Sequence, residues 1–450
     1  MKTNTKATTR VENAAGGPGR KQTPLEELTR AVSTCLLWED TFYSKGSEIA
    51  KRIEDLCTQV YAHELEALAL RARNDLKLRH VPLFLCVQLA KRQFTFYGPT
   101  LASVIQRPDE ITEFLSLYWR DGKKPLAAQV KKGLAKAFTK FSEYQLAKWN
   151  KDGAIKLRDA LFLCHAKPLT PEMDSLWKKL ISNTLPPPDT WEVALSSGAN
   201  KKATWERLLR ENQLGYMALL MNLRNMCEAQ VDPTLVRTAI HLGAAKSKAL
   251  PFRFLSAAKH APQYADSLND AMMKSIYHMS KLEGETAIII DVSGSMDVPI
   301  SSKSELLRWE AAAAIAVLGR ELTPACRVFT FSNALHEIIN IRGMGLVREI
   351  GASQPHGATY LSQALTMVKQ TMPKVNRIIV LTDEQSQDGI IPPWCEKAYI
   401  INVASEKHGL DRHSGWNRIY GFSERLFDWI AQEEACELSQ EVPQGPSNES

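Results

Sequence analysis

No apolar run in this chain approaches the roughly 20 residues needed to cross a bilayer. The longest, around Ala311 to Leu318, reads as a short buried helix. None of the eight cysteines (Cys35, Cys57, Cys86, Cys164, Cys227, Cys326, Cys395 and Cys436) forms a Cys-x-x-Cys pair, and several sit among apolar neighbours. That argues against a disulfide frame and a zinc ribbon, and predicts reduced, buried thiols in a cytoplasmic protein. A Gly-rich loop followed by Lys-Ser or Lys-Thr is also missing, so NTP hydrolysis is not indicated. The polar N-terminus has no apolar core of the kind a signal peptide needs. Residues 1–22 and 437–450, poor in apolar residues, are expected to be disordered tails.

What is present is a chain of 450 residues, 44% hydrophobic and 24% charged. That is the composition of a globular protein, too long for one ordinary core. The net charge of +6 is unevenly spread. Residues 1–282 hold 42 Lys+Arg against 28 Asp+Glu, whereas residues 283–434 hold 14 against 19. A basic part precedes a mildly acidic one, which points to an anionic partner for the first.

Residues 23–282 follow a helical period. Apolar positions recur three and four apart at Leu65, Leu68 and Ala72; at Leu83, Val87, Ala90 and Phe94; and at Leu126, Val130, Leu134 and Phe138. Prolines punctuate the pattern, and the spacing predicts stacked helical hairpins, a solenoid, with no strict repeat. Residues 283–436 alternate differently. Strands are expected at Ala287–Asp291, Arg327–Phe331, Ile338–Ile341, Arg377–Leu381, Ala398–Val403 and Arg418–Gly421. Helices are expected at Ser304–Leu318, Leu361–Gln370 and Ser423–Glu434. That order predicts a doubly wound α/β domain, with Gly284 in the link.

The strongest motif lies at the start of this domain. Thr286-Ala287-Ile288-Ile289-Ile290 runs into Asp291-Val292-Ser293-Gly294-Ser295, an Asp-x-Ser-x-Ser at the carboxyl end of a strand. Thr359 follows in Gly357-Ala358-Thr359, and Asp383 follows the apolar run Ile378 to Thr382. Asp291, Ser293, Ser295, Thr359 and Asp383 offer two carboxylates and three hydroxyls. Such hard oxygen donors suit one divalent ion, Mg²⁺ before Mn²⁺ or Ca²⁺. The bland alternative is a hydrogen-bonded turn, since Ser and Gly are common there. The set resembles the metal-ion-dependent adhesion site of von Willebrand factor A domains, except that Ala358 stands where many members have a second glycine. Glu384 and Asp388 are the further acids nearby.

The second signal is charge. Residues 123–167 hold eleven Lys or Arg against three acids. The candidate RNA-binding residues are Lys124, Lys131, Lys132, Lys136, Lys140, Lys148, Lys151, Lys156, Arg158, His165 and Lys167. Lys132, Lys136 and Lys140 are four apart and form one stripe, opposite Val130, Leu134 and Phe138. Like charges so spaced repel, and a phosphate backbone is the natural compensator. A solvated lysine face is the competing reading. His165 ends the run, where a helix-end histidine is more often structural than a ligand contact.

The two halves together resemble the Ro autoantigen family, whose helical TROVE module is shared with telomerase and vault proteins. The resemblance is carried by Arg107-Pro108-Asp109-Glu110-Ile111-Thr112-Glu113-Phe114, by Lys124-Pro125-Leu126 to Leu134, by Leu157-Arg158-Asp159-Ala160-Leu161 through His165-Ala166-Lys167-Pro168, and by Pro251-Phe252-Arg253-Phe254. It implies a HEAT-like helical solenoid closing into a ring, followed by a von Willebrand factor A-like domain. It further implies a monomeric, non-catalytic RNA-binding protein with no membrane partner. Y-like small non-coding RNA is expected on a basic outer face and single-stranded 3′ ends of misfolded RNA in the ring cavity. The role is RNA quality control, with a 3′-to-5′ exonuclease tethered through RNA. The alternative is a protein-binding adaptor whose metal captures an acidic partner. A metal-dependent nuclease is disfavoured, because two-metal phosphoryl chemistry wants several clustered carboxylates.

Overall fold

The computed structural model describes residues 10–12, 18–20, 23–34, 46–92, 98–188, 190–196, 198, 200–245, 247, 249, 251–277, 279–300, 305–404, 409–410, 416–421, 426–427, 430–431 and 434. The chain is mostly helical up to Ile276 and then turns into a mixed α/β sheet. By packing it divides into two compact units, one of residues 23–38 and 46–208, the other chiefly of residues 209–450. The change from helices to strands near residue 283 is therefore not the packing boundary. Helices after Leu208 belong with the sheet.

In the first unit the helices pack on others close by in the chain, often skipping one. Ala62–Asn74 lies against His80–Lys91, and Gly98–Val104 against Ala128–Phe138. The predicted apolar positions Leu65, Leu68, Ala72, Leu83, Val87, Ala90, Leu126, Val130, Leu134 and Phe138 are all buried; Phe94 lies outside the described residues. Val81 through Ala90 are buried without a break, so that helix is covered on every side. Glycine sets the approach of the lysine-bearing helix Ala128–Phe138. A Cβ on Gly133 would lie 2.8 Å from the Gly98 carbonyl oxygen, closer than any side chain tolerates.

The segment Arg107 to Phe114 is a structural clamp. Arg73 Nη2 donates to Glu110 Oε1 at 2.7 Å and to Oε2 at 2.8 Å, with both side chains buried. Glu110 Oε2 also accepts from the backbone of Gln106 and Arg107, at 2.7 and 3.2 Å. Removing one partner of a buried pair strands the other charge at about 3–5 kcal/mol. Glu110→Ala is therefore expected to lower the urea midpoint sharply. Arg73→Met combined with Glu110→Met should recover most of that loss, because no charge is then left alone.

The second unit opens with helices Tyr216–Glu228, Pro233–Ala244, Pro251–His260 and Ala265–Ile276. One sheet then takes six strands among the described residues: β1 Glu285–Asp291, β2 Ala325–Phe331, β3 Leu335–Ile338, β4 Arg377–Thr382, β5 Lys397–Asn402 and β6 Asn417–Tyr420. Their spatial order is β3-β2-β1-β4-β5-β6. All pairs are parallel except the edge pair β2–β3. This is a doubly wound sheet, with Ile289, Phe329, Val380 and Ile400 in its core beside Leu361, Leu365 and Val368. The helix Arg308–Leu322 is buried almost throughout, and a Cβ on Gly319 would meet Ile288 Cδ1 at 2.5 Å. Helix Pro251–His260 packs on it, with Lys259 Nζ 2.6 Å from Glu310 Oε2. That contact is part of what ties the late helices to the sheet.

Several expectations are corrected. The strand read at Ile338–Ile341 is Leu335–Ile338, because it is a hairpin return whose register is set by Phe331↔Leu335 and Val328↔Ile338. Ile339, which carried the apolar pattern onward, is 75% exposed. The helix read from Ser304 starts at Arg308 and runs to Leu322, and an unforeseen helix spans Gly343–Ala352. Within the N-terminal stretch expected to be disordered, Arg10–Glu12 and Pro18–Arg20 form short strands; the second pairs with Gly409–Leu410. Their partner lies almost 400 residues away, which local composition cannot reveal. The helix expected at Ser423–Glu434 is described at Leu426, Phe427, Ile430, Ala431 and Glu434, all helical. Residues 437–450 lie outside the described residues.

Candidate metal centre and basic surface

β1 and β4 are neighbours, so the residues that end them meet at the carboxyl edge of the sheet. That edge is the crevice where strand order reverses, the usual ligand position of such sheets. Asp291 is the last residue of β1 and Asp383 follows β4. Both are fully buried; Ser293, Ser295 and Thr359 are buried as well. Ser293 N donates to Asp291 Oδ1 at 2.9 Å, and Thr382 Oγ1 donates to Asp291 Oδ2 at 2.7 Å. The Ser293 and Ser295 hydroxyls lie 3.3 Å apart. Gln385 N donates to Asp383 Oδ1 at 3.1 Å. Thr359 is held from behind, its carbonyl accepting from Gln387 N at 2.9 Å and Ser386 Oγ at 3.2 Å. The loops themselves touch, with Gly294 N donating to the Gly357 carbonyl at 3.1 Å.

Burial, then the neighbouring Asp383 carboxylate, pushes the Asp291 carboxyl up to about 7. A buried Asp291 carboxylate whose ionisation is opposed by burial and by the buried Asp383 beside it, next to the buried hydroxyl residues Ser293, Ser295 and Thr359, forms a set that a hard divalent cation satisfies. The five residues thus fit the ion that the sequence suggests. Among the described residues no group of three or more His, Cys, Asp or Glu could hold a metal, so the candidate set depends on its hydroxyls.

The other nearby acids are committed elsewhere. Glu384, at φ +61°, accepts from Arg418 Nη1 at 2.9 Å. Asp388 caps helix Leu361–Thr371, accepting from Ser362 N at 3.0 Å and Gln363 N at 2.9 Å. Ala358 in place of glycine is readily accommodated. It is not among the positive-φ residues, and its N–H donates to Asn333 Oδ1 at 2.8 Å. Sequence reasoning missed Thr382, which braces Asp291, and Arg308, whose Nη1 lies 3.4 Å from the Ser295 carbonyl oxygen. Only the helix boundary at Arg308 could have hinted at the latter.

The basic residues of the first unit separate into distinct groups. Lys132 and Lys136 are exposed on one face of Ala128–Phe138, with Val130, Leu134 and Phe138 fully buried on the other. Lys131, Lys132, Lys136, Lys151, His165 and Lys167 make no ion pair among the described residues. Lys148, Lys156 and Arg158 are partly neutralised by Glu192 at 3.9 Å, Asp152 at 2.7 Å and Asp159 at 3.7 Å. Lys124 sits 4.7 Å from the Tyr118 ring centre, and Lys151 lies 5.3 Å from that of Trp149.

Lys140 is a correction. Although it falls on the stripe, its ammonium turns to the carbonyls of Ala102 and Ile105, at the end of the helix Gly98–Val104. Burial holds its pKa below the usual lysine range. Its ammonium caps the C-terminus of helix Gly98–Val104, although the residue is exposed and lies just past the end of helix Ala128–Phe138. His165 stands at φ +53°, the left-handed position that ends helix Leu157–Leu163, with an exposed side chain. Its backbone role is structural and its ring remains available.

Of the described cysteines, Cys57, Cys86 and Cys164 are buried as expected, whereas Cys227, Cys326 and Cys395 are only half-buried. Cys57, Cys86, Cys164, Cys227, Cys326 and Cys395 are free thiols. Burial raises the pKa of each, to about 12 for Cys57 and about 11 for Cys164 and Cys395. Cys35 and Cys436 lie outside the described residues. No helix among those described is long and apolar enough to cross a membrane.

A TROVE domain matches residues 182–300, and a von Willebrand factor type A domain matches residues 286–385. The chain is 36% identical over 75 residues to telomerase protein component 1 of Mus musculus, and 35% identical over 75 residues to that of Rattus norvegicus. Each match covers 16% of this chain and only 3% of the relative. The fold is similar to that of the crystal structure of the Ro (Rsr) protein of Deinococcus radiodurans, with a TM-score of 0.56 and 17% identity. The match covers 90% of this chain and 98% of that one.

Proposed function

We propose that the chain, in which a TROVE domain is joined to a von Willebrand factor type A domain, is an RNA-binding protein of the Ro/TROVE family with no catalytic centre of its own. The observation that carries this reading is the face of helix Ala128–Phe138. Lys132 and Lys136 stand four apart and exposed there, without an ion pair among the described residues, on a helix whose other side is buried. A surface that keeps like charges adjacent is electrostatically unfinished, and a phosphate backbone finishes it. The RNA class is small structured non-coding RNA of the Y type together with misfolded RNA bearing single-stranded 3′ ends, in an RNA quality-control role. A 3′-to-5′ exonuclease joins through the RNA.

The metal domain serves a different purpose. Two carboxylates and three hydroxyls are five donors, which leave a roughly six-coordinate divalent ion a position for water or an external carboxylate, a set unsuited to two-metal phosphoryl transfer. We assign the ion as Mg²⁺ and the cellular site as the cytoplasm. Binding of a structured RNA should weaken linearly with the logarithm of salt concentration, and the RNA copurifying with the chain should be enriched in small structured species. Salt-independent binding, or copurification of bulk RNA alone, would instead favour the adaptor reading, in which the metal captures an acidic protein.

A further inference from the structure

Arg308 begins the helix Arg308–Leu322, and its side chain is only 6% exposed. Its Nη1 lies 3.4 Å from the Ser295 carbonyl oxygen and 4.0 Å from Asp383 Oδ2. Both residues belong to the candidate metal set. We propose that Arg308 is a resident competitor of the divalent ion, a fixed cation that shares the Asp383 carboxylate and thereby sets how tightly the metal is held.

The inference rests on the metal reading of the five residues and adds a control element to it. Asp291 and Asp383 are both fully buried, where charges interact far more strongly than in water. With no ion between them they repel, and a guanidinium beside Asp383 offsets part of that cost. A divalent ion held by Asp383 would share that carboxylate with the guanidinium, a like charge in the same buried site. A buried lysine could escape this by losing its proton, but arginine cannot. It can withdraw only by moving, and its burial and its contact with Ser295 oppose movement. Ser295 links the two cations, because its carbonyl faces Arg308 while its hydroxyl belongs to the metal set. The metal is thus held less tightly than its oxygen donors alone would allow, while the metal-free site tolerates two buried carboxylates.

The test uses the full chain with Mn²⁺ as probe, read by calorimetry, and melting in EDTA as a second readout. Arg308→Gln removes the charge yet keeps a donor for the Ser295 carbonyl, and Arg308→Met removes both. At least one of them should bind Mn²⁺ tenfold or more tighter than the parent chain. In EDTA at pH 8 the neutral variants should melt lower than the parent, and adding Asp383→Asn should restore the loss. Equal or weaker Mn²⁺ binding by the folded neutral variants would overturn the proposal and leave the metal reading standing. No Mn²⁺ binding by any of these chains would remove both. If neither neutral variant folds, failure of Asp383→Asn to rescue folding counts against the proposal, because the loss would then not be one of charge compensation.

Discussion

Exchanging Lys131, Lys132 and Lys136 together for glutamate is expected to lower affinity for structured RNA by roughly a hundredfold or more at physiological salt, with the fold intact. The three side chains lie on one helix, make no ion pair among the described residues, and leave the buried face of Val130, Leu134 and Phe138 untouched. Replacing them with glutamine should instead flatten the plot of log affinity against log salt by about one unit for each phosphate no longer neutralised. Lys140 provides an internal contrast. Its ammonium holds the carbonyls of Ala102 and Ile105, so Lys140→Glu should cost stability, seen in melting, more than it changes the salt slope. Wild-type RNA affinity in the folded triple glutamate chain would rule out this helix face as the RNA surface.

That contrast shows where sequence stops being informative. Helical periodicity placed Val130, Leu134 and Phe138 in the core correctly, because burial of one helix face is a local property of spacing. It also put Lys140 on the outer stripe, although the helix ends at Phe138. Where a four-carbon side chain ends depends on which carbonyls lie within reach, and those belong to a helix more than thirty residues earlier. The same holds for Arg308. Its charge is visible in the sequence, but its approach to Asp383 depends on how the helix Arg308–Leu322 meets the ends of β1 and β4.

The α/β part was legible because parallel strands buried on both faces read as unbroken apolar runs, as at Ala287–Ile290 and Ile378–Leu381. β3 was not, since an edge hairpin with His336 and Glu337 exposed carries no such run. The packing boundary after Leu208 was hidden for another reason. Helices on both sides of it have the same periodicity, and only contacts such as Lys259 with Glu310 assign the later ones to the sheet.

The largest effect at the metal site is expected from Asp291. Replacing it with alanine removes one of two carboxylates, so Mn²⁺ or Mg²⁺ binding should be lost at millimolar concentration. RNA affinity should stay within about twofold, because the lysine helix belongs to the other packing unit. The proton ledger gives a second signature. Burial and Asp383 hold the Asp291 pKa near 7, above the ordinary aspartate range. A folded-state pKa raised in this way favours the metal-free fold at low pH, and that contribution is lost as pH rises from the ordinary aspartate range through about 7. Metal binding needs the carboxylate free of its proton. The melting-temperature gain from Mg²⁺ over EDTA should therefore be small at pH 5 and grow to a plateau above about pH 8. It should vanish at every pH in Asp291→Ala. A Mg²⁺ gain independent of pH would mean that Asp291 is already ionised in the empty site. A gain that survives in Asp291→Ala would place the ion elsewhere on the chain.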